Sequence, residues 1–382
     1  MDTSHTAAVV GQAPLMLLNV PHERRSTPAA HPVRIIPMQA IVIDAFGQIP
    51  ELHDVPDPEP GPGVAVVRVA ATGLCRSDWH AYAGHDPDIA LPHVPGHEFA
   101  GVIEAVGPGV TRWRVGDRVT APFVYACGRC AMCLAGDQQV CDDQTQPGFS
   151  RWGSFAPYVA VENAEVNLVR LPAAVEMVSA ASLGCRFATA YRAVLAVGGV
   201  RAGDWVAVHG CGGVGLSAVM IAVTAGARVV AIDTSASARE LASTFGAEAV
   251  VDASSAPDPA EVVRDLTGGG AHVSLDAVGH PDTCAGSVRS LRKRGRHVQV
   301  GLLPAVLGNP AVPMERVISH ELAILGTHGM AAHAYTPMLA LVGAGRLRPD
   351  LLVTRRIALV HAGAALAAMG SPGPPGITVI IP

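Results

Sequence analysis

The stretch CGRCAMCLAGDQQVC, from Cys127 to Cys141, carries four of the chain's eight cysteines. Three chemistries compete for such a cluster: a disulfide knot, a redox pair, and a thiolate metal site. Disulfide-dense chains are short and secreted because they lack enough core to fold unaided. With 382 residues and 49% hydrophobic content, this chain has the material for two domains with sizeable cores, which weighs against the knot. Elsewhere Cys75 stands in GLCRSDWH, His97 and Glu98 in PGHEFAGVIEAVG, and Cys185 in LGCRFATAY. One histidine and two thiolates would give zinc three protein ligands and leave a fourth position open, the arrangement of a catalytic site. Taken singly the same residues say little: a lone cysteine is most often a small buried hydrophobe, and a His-Glu pair is most often solvated.

The glycines of HGCGGVG form a second constellation. Gly210, Gly212, Gly213 and Gly215 follow the apolar strand WVAVH and open a helix. Gly210 allows a tight turn, Gly212 lets backbone approach a pyrophosphate, and Gly215 lets the helix pack close to the strand. The helix N-terminus then offers free N–H groups and partial positive charge to the phosphates. Asp233 closes the next strand, RVVAID, where a carboxylate takes both ribose hydroxyls and repels a 2′-phosphate, so NAD is favoured over NADP. Arg239, close by in sequence, weakens that preference.

These side chains need elements to position them. From Met38 to about Val161 short apolar strands alternate with turns: MQAIVIDAF, VAVVRVAAT, AGVIEAVG, DRVTAPF and FAPYVAV. After about Phe187 strands alternate with helices: WVAVH, a helix over 213–225, RVVAI, a helix over 236–245, then EAVV, HVSLDAV, HVQVG and LAILG. That alternation predicts βαβ units in a doubly wound parallel sheet. The chain ends on GITVIIP, a further strand. The fold class is therefore α/β, with a nucleotide-type domain inserted into a mostly β one. The expected boundaries are a mobile extension over 1–37, or an upstream start if translation begins at Met38; a catalytic zinc domain over 38–187, with the cysteine lobe at 127–141; a nucleotide domain over 188–324; and a return to the catalytic domain over 325–382.

Composition excludes other classes. Net charge is -5, the 27 basic residues are scattered and aromatics make up 4%, so no electrostatic footprint for nucleic acid exists. The one basic cluster, RKRGR at 292–296, reads as a solvated helix end. The most membrane-like window, 214–232, is split by Gly226-Ala227-Arg228 into a helix and a strand, so no membrane partner is expected. The first twenty residues contain no Lys or Arg and have a broken apolar run, which is little like a secretory signal and points to a cytoplasmic setting.

From about Met38 to its end the chain resembles the zinc-dependent alcohol dehydrogenases of the medium-chain dehydrogenase/reductase family. GHEFAGVIEAVG is similar to that family's zinc signature without a gap, and the C-x2-C-x2-C-x7-C spacing of Cys127, Cys130, Cys133 and Cys141 to its structural zinc lobe. The resemblance implies a Rossmann-type domain beside a GroES-like catalytic domain, two zinc ions per chain, and NAD as cofactor. It implies Cys75, His97 and Cys185 as catalytic zinc ligands, Glu98 as an acid that approaches the metal transiently, and Asp78 as the carboxylate orienting the histidine ligand. It assigns Ser77 and His80 to a proton relay and Phe123 to the substrate pocket wall. Arg76 and Thr189 fall to the cofactor, as do Gly210, Gly212, Gly213, Val214, Gly215, Asp233, Arg239 and Val300. The four lobe cysteines would hold a closed tetrahedral zinc and perform no chemistry.

Only 44 positions separate Cys141 from Cys185, fewer than in the larger animal-type members, and this resembles the microbial tetrameric enzymes. The implied activity is hydride transfer between an alcohol and NAD, yielding an aldehyde or ketone, with zinc as Lewis acid toward a small-molecule substrate. The alternatives are a polyol or amino-acid-hydroxyl dehydrogenase of the same family, and a non-enzymatic binding protein on the same fold. In the polyol branch the third ligand is typically an acid, where LGCRF supplies Cys185. Cys211 and Cys284 read as small buried residues; His85, His93 and His328 receive no role beyond solvated or pocket-lining.

Overall fold

The strand that leads to Cys75 is also the hub of the larger sheet. In the computed structural model, which describes residue 1, residues 37–371 and residues 373–382, β1 (Met38–Val42) and β2 (Glu51–Val55) form an antiparallel pair. The extension expected over 1–37 lies, apart from residues 1 and 37, outside the described residues. The next strands are β3 (Ala65–Leu74), β4 (Phe99–Val106), β5 (Arg118–Thr120), β6 (Tyr158–Val161) and β7 (Val169–Arg170). β3 pairs antiparallel with both β4 and β6. Val67, Val69, Phe99, Ile103, Val119 and Val159 alternate inward from these strands into one apolar core.

The parallel strands are β8 (Trp205–His209), β9 (Arg228–Asp233), β10 (Ala249–Asp252), β11 (Ala271–Asp276), β12 (Leu291–Gln299) and β13 (Ala323–Gly326). Their spatial order is β10-β9-β8-β11-β12-β13, all parallel, as in a doubly wound dinucleotide fold. Both faces are covered. Val206 and Val208 pack into one core with Leu216 and Val219 of the helix Gly213–Thr224, while Trp205 and Ala207 point into a second core with Val251 and Val263. A strand buried on both faces reads as a continuous apolar run, which is why WVAVH shows no alternation. The topological switch point lies between β8 and β11. The glycine loop leaves β8 there, with Gly210 at φ +92, and a Cβ on Gly215 would fall 1.7 Å from the Gly210 carbonyl.

After the parallel sheet, β14 (Val353–Ala358) and β15 (Ile377–Ile381) join the first sheet, β15 pairing with β3 beside the site. RKRGR is not a helix end. It belongs to β12, where the pairing with β11 jumps from Leu291 to Arg296 between Ala271 and Val273. The intervening residues leave the ladder, and Arg292, Lys293 and Arg294 are exposed there.

Candidate active site

β3 delivers Cys75 at its end and turns at once into the helix Arg76–Tyr82. Asp78, in the first turn, accepts the Cys75 backbone N–H through Oδ2 at 2.9 Å. Its Oδ1 accepts His97 Nδ1 at 2.8 Å and the Gly96 backbone N–H at 3.2 Å. One buried carboxylate therefore fixes two segments, its own turn and the one 18 to 19 positions on. Cys185 arrives from a third segment, a π-helical turn over Leu183–Phe187; such extra-residue turns recur at functional sites. Ligand atoms of Cys75, His97, Glu98 and Cys185 all lie within 4.8 Å of one another.

Burial pulls the His97 imidazole down, but the Asp78 charge and hydrogen bond, with help from the Cys75 thiolate, carry it well above its ordinary value. Cys75, hydrogen-bonded by Cys185 and facing Arg186 and His97, is held well below the usual thiol range against its burial. Cys185 is pushed well up by the same Cys75 contact and by burial. With Nδ1 committed to Asp78, His97 Nε2 is buried and has no hydrogen-bond partner. An orphaned buried nitrogen among two sulfurs, with the Asp78 carboxylate behind it, fits a divalent metal ion such as zinc.

Aromatic rings close the surroundings: Phe149 lies 5.2 Å and Phe123 6.1 Å from the His97 ring, and His328 meets Phe123 edge-on at 5.0 Å. Ser77 Oγ is 3.8 Å from Cys75 Sγ. His80 is hydrogen-bonded to His85, Nδ1 to Nδ1, at 3.0 Å; burial, His85 and Arg76 hold its pKa below the ordinary 6.5. His85 is exposed, whereas His93 is buried with its Nε2 unpartnered. Glu98 makes a bidentate ion pair with Arg186. Thr189 Oγ1, on the helical segment after Cys185, is buried without a partner.

The four lobe cysteines also converge within 4.8 Å. None of the eight cysteines is disulfide-bonded. Backbone amides turn toward the lobe sulfurs: Cys130 N to Cys127 Sγ and Cys133 N to Cys130 Sγ at 3.4 Å, Cys127 N to Cys141 Sγ at 3.3 Å. The amide of Arg129 leads in bringing Cys127 down to about 7, while burial pushes Cys133 up to about 12. Four sulfurs so arranged fit a tetrahedral metal.

At the glycine loop Asp233 is already engaged. Its Oδ2 accepts the Cys211 N–H at 2.6 Å and its Oδ1 the Ser235 N–H at 2.8 Å, so the acid braces the loop. Arg239 is tied back by the Asp233 carbonyl at 2.8 Å and the Asp252 carboxylate at 3.0 Å. Val214 and Val300 pack beside the core, and the Val300 N–H binds the Asp276 carbonyl. Arg76 is exposed, lies over the Trp79 ring and donates to the Met369 carbonyl. Sequence reasoning missed Arg186, Phe149 and the His80–His85 contact. For Arg186 a signal existed: a charge inside the apolar run LGCRFATA.

Two family models match the chain: an alcohol dehydrogenase GroES-like domain over residues 61–173, and a zinc-binding dehydrogenase domain over 213–344. An alcohol dehydrogenase of Geobacillus stearothermophilus is 36% identical over 76% of this chain and 84% of its own. A sorbitol dehydrogenase of Halalkalibacterium halodurans is 34% identical over 79% and 87%. The crystal structure of an NAD-dependent alcohol dehydrogenase superposes with a TM-score of 0.81 at 33% identity, covering 90% of this chain and 100% of that one. No helix among the described residues is long and apolar enough to cross a membrane.

Proposed function

The chain belongs to the zinc-dependent alcohol dehydrogenases of the medium-chain dehydrogenase/reductase family, and from that premise we propose that it interconverts a small alcohol and its aldehyde or ketone, with NAD as redox partner and one catalytic and one structural zinc per chain. The observation that carries this reading is the convergence of Cys75, His97 and Cys185 with His97 Nε2 left unpartnered. Three such ligands leave a coordination position for a substrate oxygen. When bound, the zinc supplies Lewis-acid polarisation at that oxygen, and the nicotinamide supplies the hydride acceptor or donor.

The chain's own groups do the rest. Asp78 holds the His97 tautomer that presents Nε2, and fixes the Cys75 backbone in the same stroke. Ser77 Oγ, beside Cys75, accepts the proton of the substrate hydroxyl as it passes its own on; His80, on the same helix, is the base that takes the relayed proton, and its contact with exposed His85 opens a route to water. Phe123 and Phe149 keep water from the His97 side. The glycine loop and the N-terminus of the helix Gly213–Thr224 would hold the pyrophosphate, and Asp233 the ribose. Asp233→Gly should raise KM for NAD and improve use of NADP; an unchanged ratio of efficiencies would mean that another residue reads the ribose.

Likeness to a sorbitol dehydrogenase supports polyol oxidation as the second reading, and Cys185 in place of an acid supports simple alcohols. The same reading places the enzyme in the cytoplasm, where thiol ligands stay reduced, as a homotetramer. It keeps the domain boundaries at 187 and 324, the second lying within β13. The test is a panel of primary, secondary, aromatic and polyhydric alcohols read by NADH absorbance. Turnover of at least one class, lost on chelation, supports the proposal; no turnover of any alcohol by zinc-loaded protein contradicts it.

A further inference from the structure

Glu98 is the awkward member of the first cluster. It lies within the same 4.8 Å set as Cys75, His97 and Cys185, and a carboxylate oxygen is itself a good zinc ligand. Nothing in the donor geometry keeps it from closing the site. What does so is Arg186. The Arg186 backbone N–H donates to Glu98 Oε1 at 2.8 Å, Nε donates to Oε1 at 3.1 Å and Oε2 at 3.0 Å, and Nη2 donates to Oε2. Both carboxylate oxygens are thus occupied by one residue. Its remaining Nη1 donates at 2.9 Å to the carbonyl of Leu74, the neighbour of Cys75.

The space for this pair is built in. A Cβ on Gly73 would sit 2.4 Å from Glu98 Oε2 and 2.8 Å from Arg186 Nη2, and one on Gly213 would sit 2.7 Å from Arg186 Cδ. Arg186 is 6% exposed and Glu98 fully buried, so the pair is shielded from water and salt. Arg186 therefore follows one ligand in sequence, binds the residue after another, and binds the residue before the third.

We propose that Arg186 is a positioning residue that withholds Glu98 from the metal, keeping open the coordination position that substrate needs. This rests on the zinc-site reading above. Cys185 and Arg186 are consecutive, so the π-helical turn that delivers the ligand also delivers the clamp. Without the guanidinium, Glu98 is a buried carboxylate stripped of its partner, and the cation beside it becomes the nearest compensation.

The test uses cobalt(II)-loaded full-length protein and added imidazole, with neither cofactor nor alcohol present. In the wild type, imidazole should enter the open position and shift the visible d–d bands. Arg186→Met should change those bands before imidazole is added and weaken imidazole binding by about 10–100-fold, the range for losing a group that supports metal ligands. Adding Glu98→Gln in the same chain should restore both the spectrum and the affinity, because the amide does not compete for the metal. Arg186→Lys, which keeps a cation against Glu98 but loses the two-pronged grip, should fall between wild type and Arg186→Met. If Arg186→Met fails to fold, Arg186→Gln gives the same comparison with one hydrogen bond left to Glu98.

An Arg186→Met protein that binds imidazole like wild type overturns the clamp alone, as does a double variant no better than the single one. A wild-type cobalt spectrum indifferent to imidazole overturns the open-site reading, and the clamp with it.

Discussion

The lobe from Cys127 to Cys141 draws all four sulfurs from one short stretch, whereas the cluster of Cys75, His97 and Cys185 draws its donors from the end of β3, the segment before β4 and a π-helical turn. In the lobe the sulfurs are oriented by backbone amides from within the lobe itself, and Cys127 and Cys130 remain partly exposed. In the other cluster the donors are oriented by buried charges, Asp78 on one side and Arg186 on the other. A local cluster offers four equivalent ligands and closes around a metal; a dispersed one can offer three and be denied the fourth. On the proposed reading the contrast is between a site that holds a lobe together and one that leaves room for chemistry.

The largest effect expected from breaking this contrast is on turnover. Cys75→Ala removes one of the three proposed catalytic ligands, so activity should fall to near zero while the lobe keeps its zinc. Substantial residual turnover with one zinc lost would show the wrong cluster to be catalytic. Asp78→Asn comes next. It leaves all three ligands but loosens the His97 tautomer and the Cys75 backbone together, and kcat/KM should fall by about 10–100-fold with weaker zinc retention. A change confined to thermal stability would reduce Asp78 to a helix cap.

The proton route should matter less. Burial, His85 and Arg76 lower the His80 pKa from 6.5, so its ring is neutral and able to accept a proton at pH 7 and above. That ability is lost as pH falls through the lowered value, not as pH rises. His80→Ala should therefore give a moderate loss of turnover that is greatest at neutral and alkaline pH, and added imidazole should restore part of it. Wild-type turnover across pH 6 to 9 would remove His80 from the account. The smallest effect on chemistry belongs to the lobe: Cys130→Ser should lose one zinc and lower Tm by several degrees, while turnover of the remaining folded enzyme at low temperature stays near wild type.

How much could be read in advance follows the same division. The lobe was legible because its ligands are neighbours in sequence, and the nucleotide domain because WVAVH, the glycines and Asp233 follow one another within a single βαβ unit. The dispersed site was not legible from spacing. Cys75 and His97 are joined by β3–β4 pairing and the buried side chain of Asp78, and Cys185 is tied to them through Arg186, so resemblance had to link them. Arg186 escaped for the same reason, since its partners lie 88 and 112 positions away. RKRGR misled because a bulge leaves basic side chains in solvent on a strand that is otherwise well buried. The His80–His85 contact depends on the turn after the helix Arg76–Tyr82, which sequence pattern does not fix.

The most direct test of the central claim is a zinc-edge anomalous difference map from crystals of the purified protein. The account predicts two peaks per chain, one bounded by Cys127, Cys130, Cys133 and Cys141, the other by Cys75, His97 and Cys185, with Glu98 turned away on Arg186. A single peak, or a second peak ligated by Glu98 in the resting enzyme, would contradict it.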